Sequence, residues 1–205
     1  MKSKKIISMI LATVTALSLC LPAFAAFNPE DQTPTEVTAS SSYKDDTIIL
    51  GRIQPGEGTL IVTDEPNTMG DGDIMPFAAN SRFLFSAEAT NVKNIVTTRA
   101  SNKVITQETT KGDIRVSGTL TYSPDPSESQ SRAIRTGLCT YNATYDRFET
   151  SPSLYLLFEN GAHNSHVING TAMKASRNYY GFIRNLIEDN VHKVNGTVYY
   201  YDDYD

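Results

Sequence analysis

Between Asp113 and Ser123, apolar and polar residues alternate without a break. Ile114, Val116, Gly118, Leu120 and Tyr122 fall on one side, and Asp113, Arg115, Ser117, Thr119, Thr121 and Ser123 on the other. A period of two is the repeat of extended chain, so the run predicts a β-strand with one dry face and one wet face. A dry sheet face must be covered by a second layer, which points to a layered β fold.

The same signal recurs along the second half of the chain. Phe83, Phe85, Ala87 and Ala89 alternate with Arg82, Leu84, Ser86 and Glu88. Further strand candidates are 92–98, 103–109, 133–141, 154–159, 167–174, 179–187 and 194–202. Turn residues separate several of them: Pro124-Asp125-Pro126-Ser127, Asn160-Gly161 and Asn169-Gly170, with Asn195-Gly196 near the start of the last. No window gives a convincing amphipathic helix. The spacing in 182–191 permits a short helical turn, but its Tyr179-Tyr180-Gly181-Phe182 start favours strand. Short alternating strands without helices predict an all-β fold, an antiparallel β-sandwich of jelly-roll or immunoglobulin-like order over residues 80–205.

The N-terminus has a different character. Lys2, Lys4 and Lys5 precede an apolar run at 6–21, and Ala23-Phe24-Ala25 supplies small residues at the positions a signal peptidase reads. Residues 1–25 are therefore expected to be a signal peptide, and the mature protein to be secreted to the extracellular side. Cys20 follows Leu19 rather than the small residue that lipoprotein processing requires, so it reads as part of the apolar core of that peptide. No second stretch approaches the roughly 20 apolar residues of a membrane span, so no membrane association is expected after cleavage.

About 180 residues remain after that cut, with Cys139 as the sole cysteine. No intramolecular disulfide can then form, and burial and backbone pairing must hold the fold. Residues 26–79 carry ten acidic side chains against Lys44 and Arg52, whereas residues 80–205 are balanced. An acidic leader ahead of a neutral domain offers nothing to a phosphate backbone, which argues against a nucleic-acid partner. The leader is rich in Pro, Ser and Thr and reads as solvated, flexible chain. Within it, 47–53 and 59–63 are β-prone runs on either side of Gln54-Pro55-Gly56-Glu57-Gly58. They read as a hairpin over 47–63, or as one strand that docks on something. Such an element caps its own domain or, in trans, permits self-association.

The ending of the chain, Tyr179-Tyr180-Gly181-Phe182-Ile183 followed by Val194-Asn195-Gly196-Thr197-Val198-Tyr199, resembles that of small uncharacterised secreted β-sandwich proteins of Gram-positive gut-type bacteria. It is also similar to the last strands of jelly-roll domains of the bacterial pre-peptidase C-terminal type. The resemblance covers roughly residues 80–205. It implies a fold and no catalytic residue.

Chemistry-bearing groups are few. His163 and His166 stand in an Asn/Ser-rich segment read as a loop, where nothing fixes Glu159 or His192 as a third metal ligand. Cys139 lies in a strand-like segment with no helix N-terminus to activate it. No Gly-x-Ser-x-Gly elbow and no opposed pair of carboxylates appears. Asp71, Asp73 and the acidic tail Asp202-Asp203-Tyr204-Asp205 do not complete a calcium loop. The expectation is a protein without catalytic residues, metal or cofactor. In the last strand, alternation puts Val194, Gly196, Val198 and Tyr200 inward. Thr197, Tyr199 and Tyr201 then stand outward, spaced to stack on sugar rings or fill a partner's groove. The function expected is a non-catalytic binding or adhesion module for a glycan or extracellular protein. The alternatives are a self-associating structural component of a surface or matrix and, behind it, a small secreted hydrolase.

Overall fold

The computed structural model describes residues 46–65, 80–110, 112–127, 130 and 132–204. The expected signal peptide, most of the leader, Cys20, Asp71, Asp73 and Asp205 lie outside them. The described chain is all-β apart from three single turns of 3₁₀ helix. Its strands are β1 (Ile48–Gly51), β2 (Thr59–Thr63), β3 (Ser81–Val92), β4 (Ile95–Thr97), β5 (Asp113–Ser123), β6 (Ala133–Asn142), β7 (Arg147–Thr150), β8 (Tyr155–Glu159), β9 (His163–Ile168), β10 (Tyr180–Arg184) and β11 (Lys193–Asp203).

All pairings are antiparallel, and they form two sheets. One runs β2-β3-β11-β5-β9; the other runs β1-β7-β6-β10-β4, with β8 also paired to β6. The long β6 serves two neighbours along one side: Ala133–Gly137 pairs β8, and Thr140–Asn142 pairs β7. Its other side holds β10 through Arg135–Cys139.

Alternation decides what lies between the sheets. Ile114, Val116, Leu120 and Tyr122 of β5 are buried as the sequence pattern requires. They share one core with Val194, Val198 and Tyr200 of β11, and with Ile134, Leu138, Phe158 and Ile183 of the other sheet. The Tyr200 ring packs on Phe85 at 4.7 Å between centroids, and its hydroxyl donates to the Gly137 carbonyl at 3.3 Å. That bond links the two layers and satisfies a polar group that burial would otherwise strand.

A smaller apolar cluster lies on the opposite side of the six-stranded sheet. Leu50 of β1, Ile95 of β4, Cys139 of β6, Phe148 of β7 and Phe182 of β10, all strands of that sheet, form the cluster. Leu50, 1 % exposed, is what anchors β1 there.

Several elements differ from the sequence reading. The runs at 47–53 and 59–63 do not pair with each other as a hairpin: β1 pairs β7 in one sheet, and β2 pairs β3 in the other. Their apolar residues go to different clusters, Leu50 to the outer one and Leu60 and Val62 to the main core, so the Gly-rich connection bridges two sheets. The 103–109 run makes only an isolated bridge, Ile105 to Tyr179. Thr106 and Thr109 exchange side-chain-to-backbone bonds at 3.1 Å and fold the following residues into a turn. The strand expected at 167–174 instead covers His163–Ile168. Asn169 ends it by accepting from the Thr171 N–H at 2.8 Å. β7 carries too short an alternation to stand out in the sequence.

Candidate functional site

The outer face of the six-stranded sheet holds a hollow of about 620 Å³ that joins four separate parts of the chain. Arg52, Ile53 and Gln54 come from the β1–β2 connection, Arg99 and Asn102 from the turn after β4, and Tyr141, Asp146 and Phe148 from the β6–β7 hairpin. Tyr180 of β10 closes it.

Local chemistry shapes each wall. Arg99 sits in the single turn Thr98–Ser101, which Asn102 ends in the left-handed region at φ 53°. In the β6–β7 turn, Asn142 Oδ1 accepts from the N–H groups of Thr144 and Tyr145, and Asp146 takes φ 48°. Asn and Asp tolerate this conformation better than other residues with a side chain.

Within the hollow, the Arg99 guanidinium lies 3.6 Å from the centroid of the Tyr141 ring. The Tyr141 hydroxyl donates to Asp146 Oδ1 at 2.6 Å, and Asp146 Oδ2 lies 3.6 Å from Arg52 Nε. The hydrogen bond to Asp146 raises the Tyr141 pKa, with burial and the carboxylate charge adding to it and Arg99 opposing it. The phenol therefore stays protonated and keeps Asp146 aimed at Arg52. A second hollow, of about 470 Å³, shares Arg99, Tyr141 and Tyr180 and adds Arg177, Asn178 and Glu149. Of these arginines, Arg52 has its carboxylate; among the described residues, Arg99 and Arg177 have no ion-pair partner. The combination of planar rings, a stacked guanidinium and amide groups suits a hydroxyl-rich or oxyanion-bearing ligand.

The residues singled out from the sequence lie elsewhere. Thr197, Tyr199 and Tyr201 are on the outer face of the five-stranded sheet, each half-buried. Phe83 meets Tyr201 edge-on at 5.7 Å, and the Arg115–Asp203 ion pair, 2.6 Å long, is formed by the neighbouring residues of β5 and β11. Burial and the nearby Tyr199 raise the Tyr201 pKa, with Arg115 opposing. That surface and the Arg99 hollow belong to different sheets.

The histidines do not converge. His163 and His166 are on a strand rather than in the expected loop, opposite Thr119 and Val116 respectively. Residues three apart on a strand point to opposite faces. His163 Nε2 lies 3.2 Å from Ser117 Oγ, and His166 packs on Phe158 at 5.9 Å. His192 Nδ1 is held by Asp189 Oδ2 at 2.6 Å, in a different loop. Among the described residues, no three metal-binding side chains come together.

Cys139 is fully buried, its Sγ donating to the Tyr180 carbonyl at 3.4 Å, and burial pushes its thiol pKa far upward. A protonated, shielded thiol is a poor nucleophile. Protein lacking residues 1–25, in which Cys139 is the one cysteine, is expected to resist a thiol reagent at pH 8 and to react with one equivalent once unfolded in denaturant. Labelling of the native protein within minutes would contradict this burial.

The sequence reading missed Arg99, Tyr141 and Tyr180 as a group. They lie 39 to 81 positions apart, and only the pairing of β10 with β4 and β6 brings them together. No protein-family model, curated protein or solved structure matches the chain.

Proposed function

We propose that this protein is a secreted, non-catalytic binding module whose ligand is a saccharide held in the hollow around Arg99, Tyr141 and Tyr180. The reading rests on one observation: a guanidinium stacked on an exposed-edge aromatic, inside a hollow ringed by polar groups, with no partner carboxylate of its own. Arg99 covers the Tyr141 ring, which also packs on Phe148, so the flat surface offered to a sugar ring is the exposed guanidinium itself. Its free edge supplies fork-like donors to hydroxyls or a carboxylate. We further read the order β3-β11-β5-β9 facing β4-β10-β6-β8 as a jelly roll, with β1, β2 and β7 as additions. This supports the kinship with jelly-roll domains of the pre-peptidase C-terminal type, as does the export signal at residues 1–25 the assignment outside the cell.

The test is binding of the purified protein to immobilised mucin, plant glycans and peptidoglycan. Saturable binding to one of them is expected. Arg99→Ala should weaken it at least about tenfold, equivalent to about 1.4 kcal/mol. Arg99→Lys should recover little, because the flat stack is lost while the charge stays. A Tyr199→Ala/Tyr201→Ala double variant should bind as wild type. Loss of binding in that double variant alone would move the site to the five-stranded sheet. Folded protein that binds none of the panel would defeat the saccharide reading.

A further inference from the structure

A second feature of the six-stranded sheet has nothing to do with the stacked tyrosine. Arg135 of β6 and Arg184 of β10 are directly opposite in the antiparallel register. Side chains so placed leave Cβ atoms about 5 Å apart, and like charges there repel. Proteins ordinarily avoid the arrangement or neutralise it with a carboxylate.

Neutralisation here is slight. Arg184 is 19 % exposed and donates through Nη1 to the Ile49 carbonyl at 3.2 Å. Its one carboxylate, Glu188, stands 3.9 Å away and is 87 % exposed, where screening leaves an ion pair little strength. Arg135 stacks on the Tyr155 ring at 4.5 Å, and among the described residues no carboxylate lies within ion-pair distance of it. The Nε atoms of both arginines are buried and have no hydrogen-bond partner among the described residues. Two like-charged side chains are thus paired across neighbouring strands, partly dehydrated, each with a buried Nε that no described group satisfies. Burial and the charge of Arg135 both press the Arg184 pKa downward, the expected effect of an uncompensated neighbour.

We propose that Arg135 and Arg184 form a binding site for an oxyanion, a carboxylate or sulfate group of an acidic saccharide. A planar or tetrahedral oxyanion accepts paired N–H bonds from guanidinium forks and cancels their repulsion. Arg184 also lines a hollow of about 660 Å³ with Lys93, but Glu57, Glu188 and Asp189 line it too. The Asn94 and Asn185 amides there donate to Glu57 and to the Val92 and His192 carbonyls, so the proposed site is the arginine pair itself. The inference stands apart from the saccharide reading of the Arg99 hollow, since it depends on charge at different residues.

The test is calorimetric melting of the full chain in sodium sulfate against sodium chloride at equal ionic strength. Wild type is expected to melt about 4 °C higher in sulfate, because an anion bound only by the folded state stabilises it. Arg135→Gln should lose that extra shift while melting in chloride at or above wild type, since repulsion is relieved. Arg184→Gln should also lose the shift, but it gives up the bond to Ile49 as well, so Arg135→Gln decides. An equal sulfate shift in all three proteins would be general salting-out and would overturn the proposal. Polygalacturonate and dextran sulfate, with dextran as the neutral control, identify the source. A larger shift with either acidic polymer than with inorganic sulfate at matched oxyanion concentration assigns the site to an acidic saccharide. Equal shifts with polymer and free ion remove that assignment.

Discussion

Replacing Tyr200 by alanine is expected to lower the unfolding free energy by about 3–5 kcal/mol, the range for deleting a large buried aromatic. The ring is fully buried between the sheets, against Phe85 on one side and close to the backbone of Gly181 on the other. A Cβ on Gly181 would lie 2.8 Å from Tyr200 Cζ, so that strand runs as near to the ring as a glycine allows. Tyr200→Phe keeps the packing and loses the hydroxyl's bond to the Gly137 carbonyl, for which about 1 kcal/mol is the usual loss. Urea unfolding followed by circular dichroism measures both. With a total stability of about 5–15 kcal/mol, the alanine variant should show a large drop in its midpoint. An alanine variant within about 1 kcal/mol of wild type would mean that Tyr200 does not organise the core.

The second large effect belongs to Gly118, in the middle of β5 between β11 and β9. Its φ is 153°, and a Cβ there would meet the Thr197 carbonyl oxygen at 2.1 Å and Val198 Cα at 3.0 Å. Both atoms are backbone of the paired strand, so relief requires moving β11 itself. Gly118→Ala is expected to cost about 3 kcal/mol or to prevent folding. Gly161 provides the comparison: its φ is 73°, but no atom lies within 4 Å of an added Cβ. Gly161→Ala should therefore cost only the backbone term of about 1 kcal/mol. Equal losses at the two positions would show that backbone conformation, and not the approach of β11, sets the requirement at Gly118.

How far the chain could be read without its structure varies by element. β5 and β11 were legible nearly to the residue, because long alternation records burial directly: each inward residue of β5 is apolar or glycine, and each outward one is polar. β9 was misplaced because its edge position leaves His163, Ser165 and Val167 exposed, and an exposed edge imposes no alternation. The 47–63 region looked like a hairpin because two β-prone runs flank the Pro55-Gly56 turn. That pattern cannot tell a turn within one sheet from a bridge between two. The Arg99 hollow and the Arg135–Arg184 pair left no trace at all, since neither belongs to a local motif.

The sequence by itself determined the all-β class, the antiparallel alternation and the inward face of the last strand, because these follow from the two-residue period of extended chain. Strand order, the use of β1 as a cover over Leu50's cluster, and the meeting of Arg99 with Tyr141 and of Arg135 with Arg184 were decided by the tertiary structure alone. Pairing between distant strands is chosen by which faces bury each other most completely, and that choice is a property of the whole assembled core.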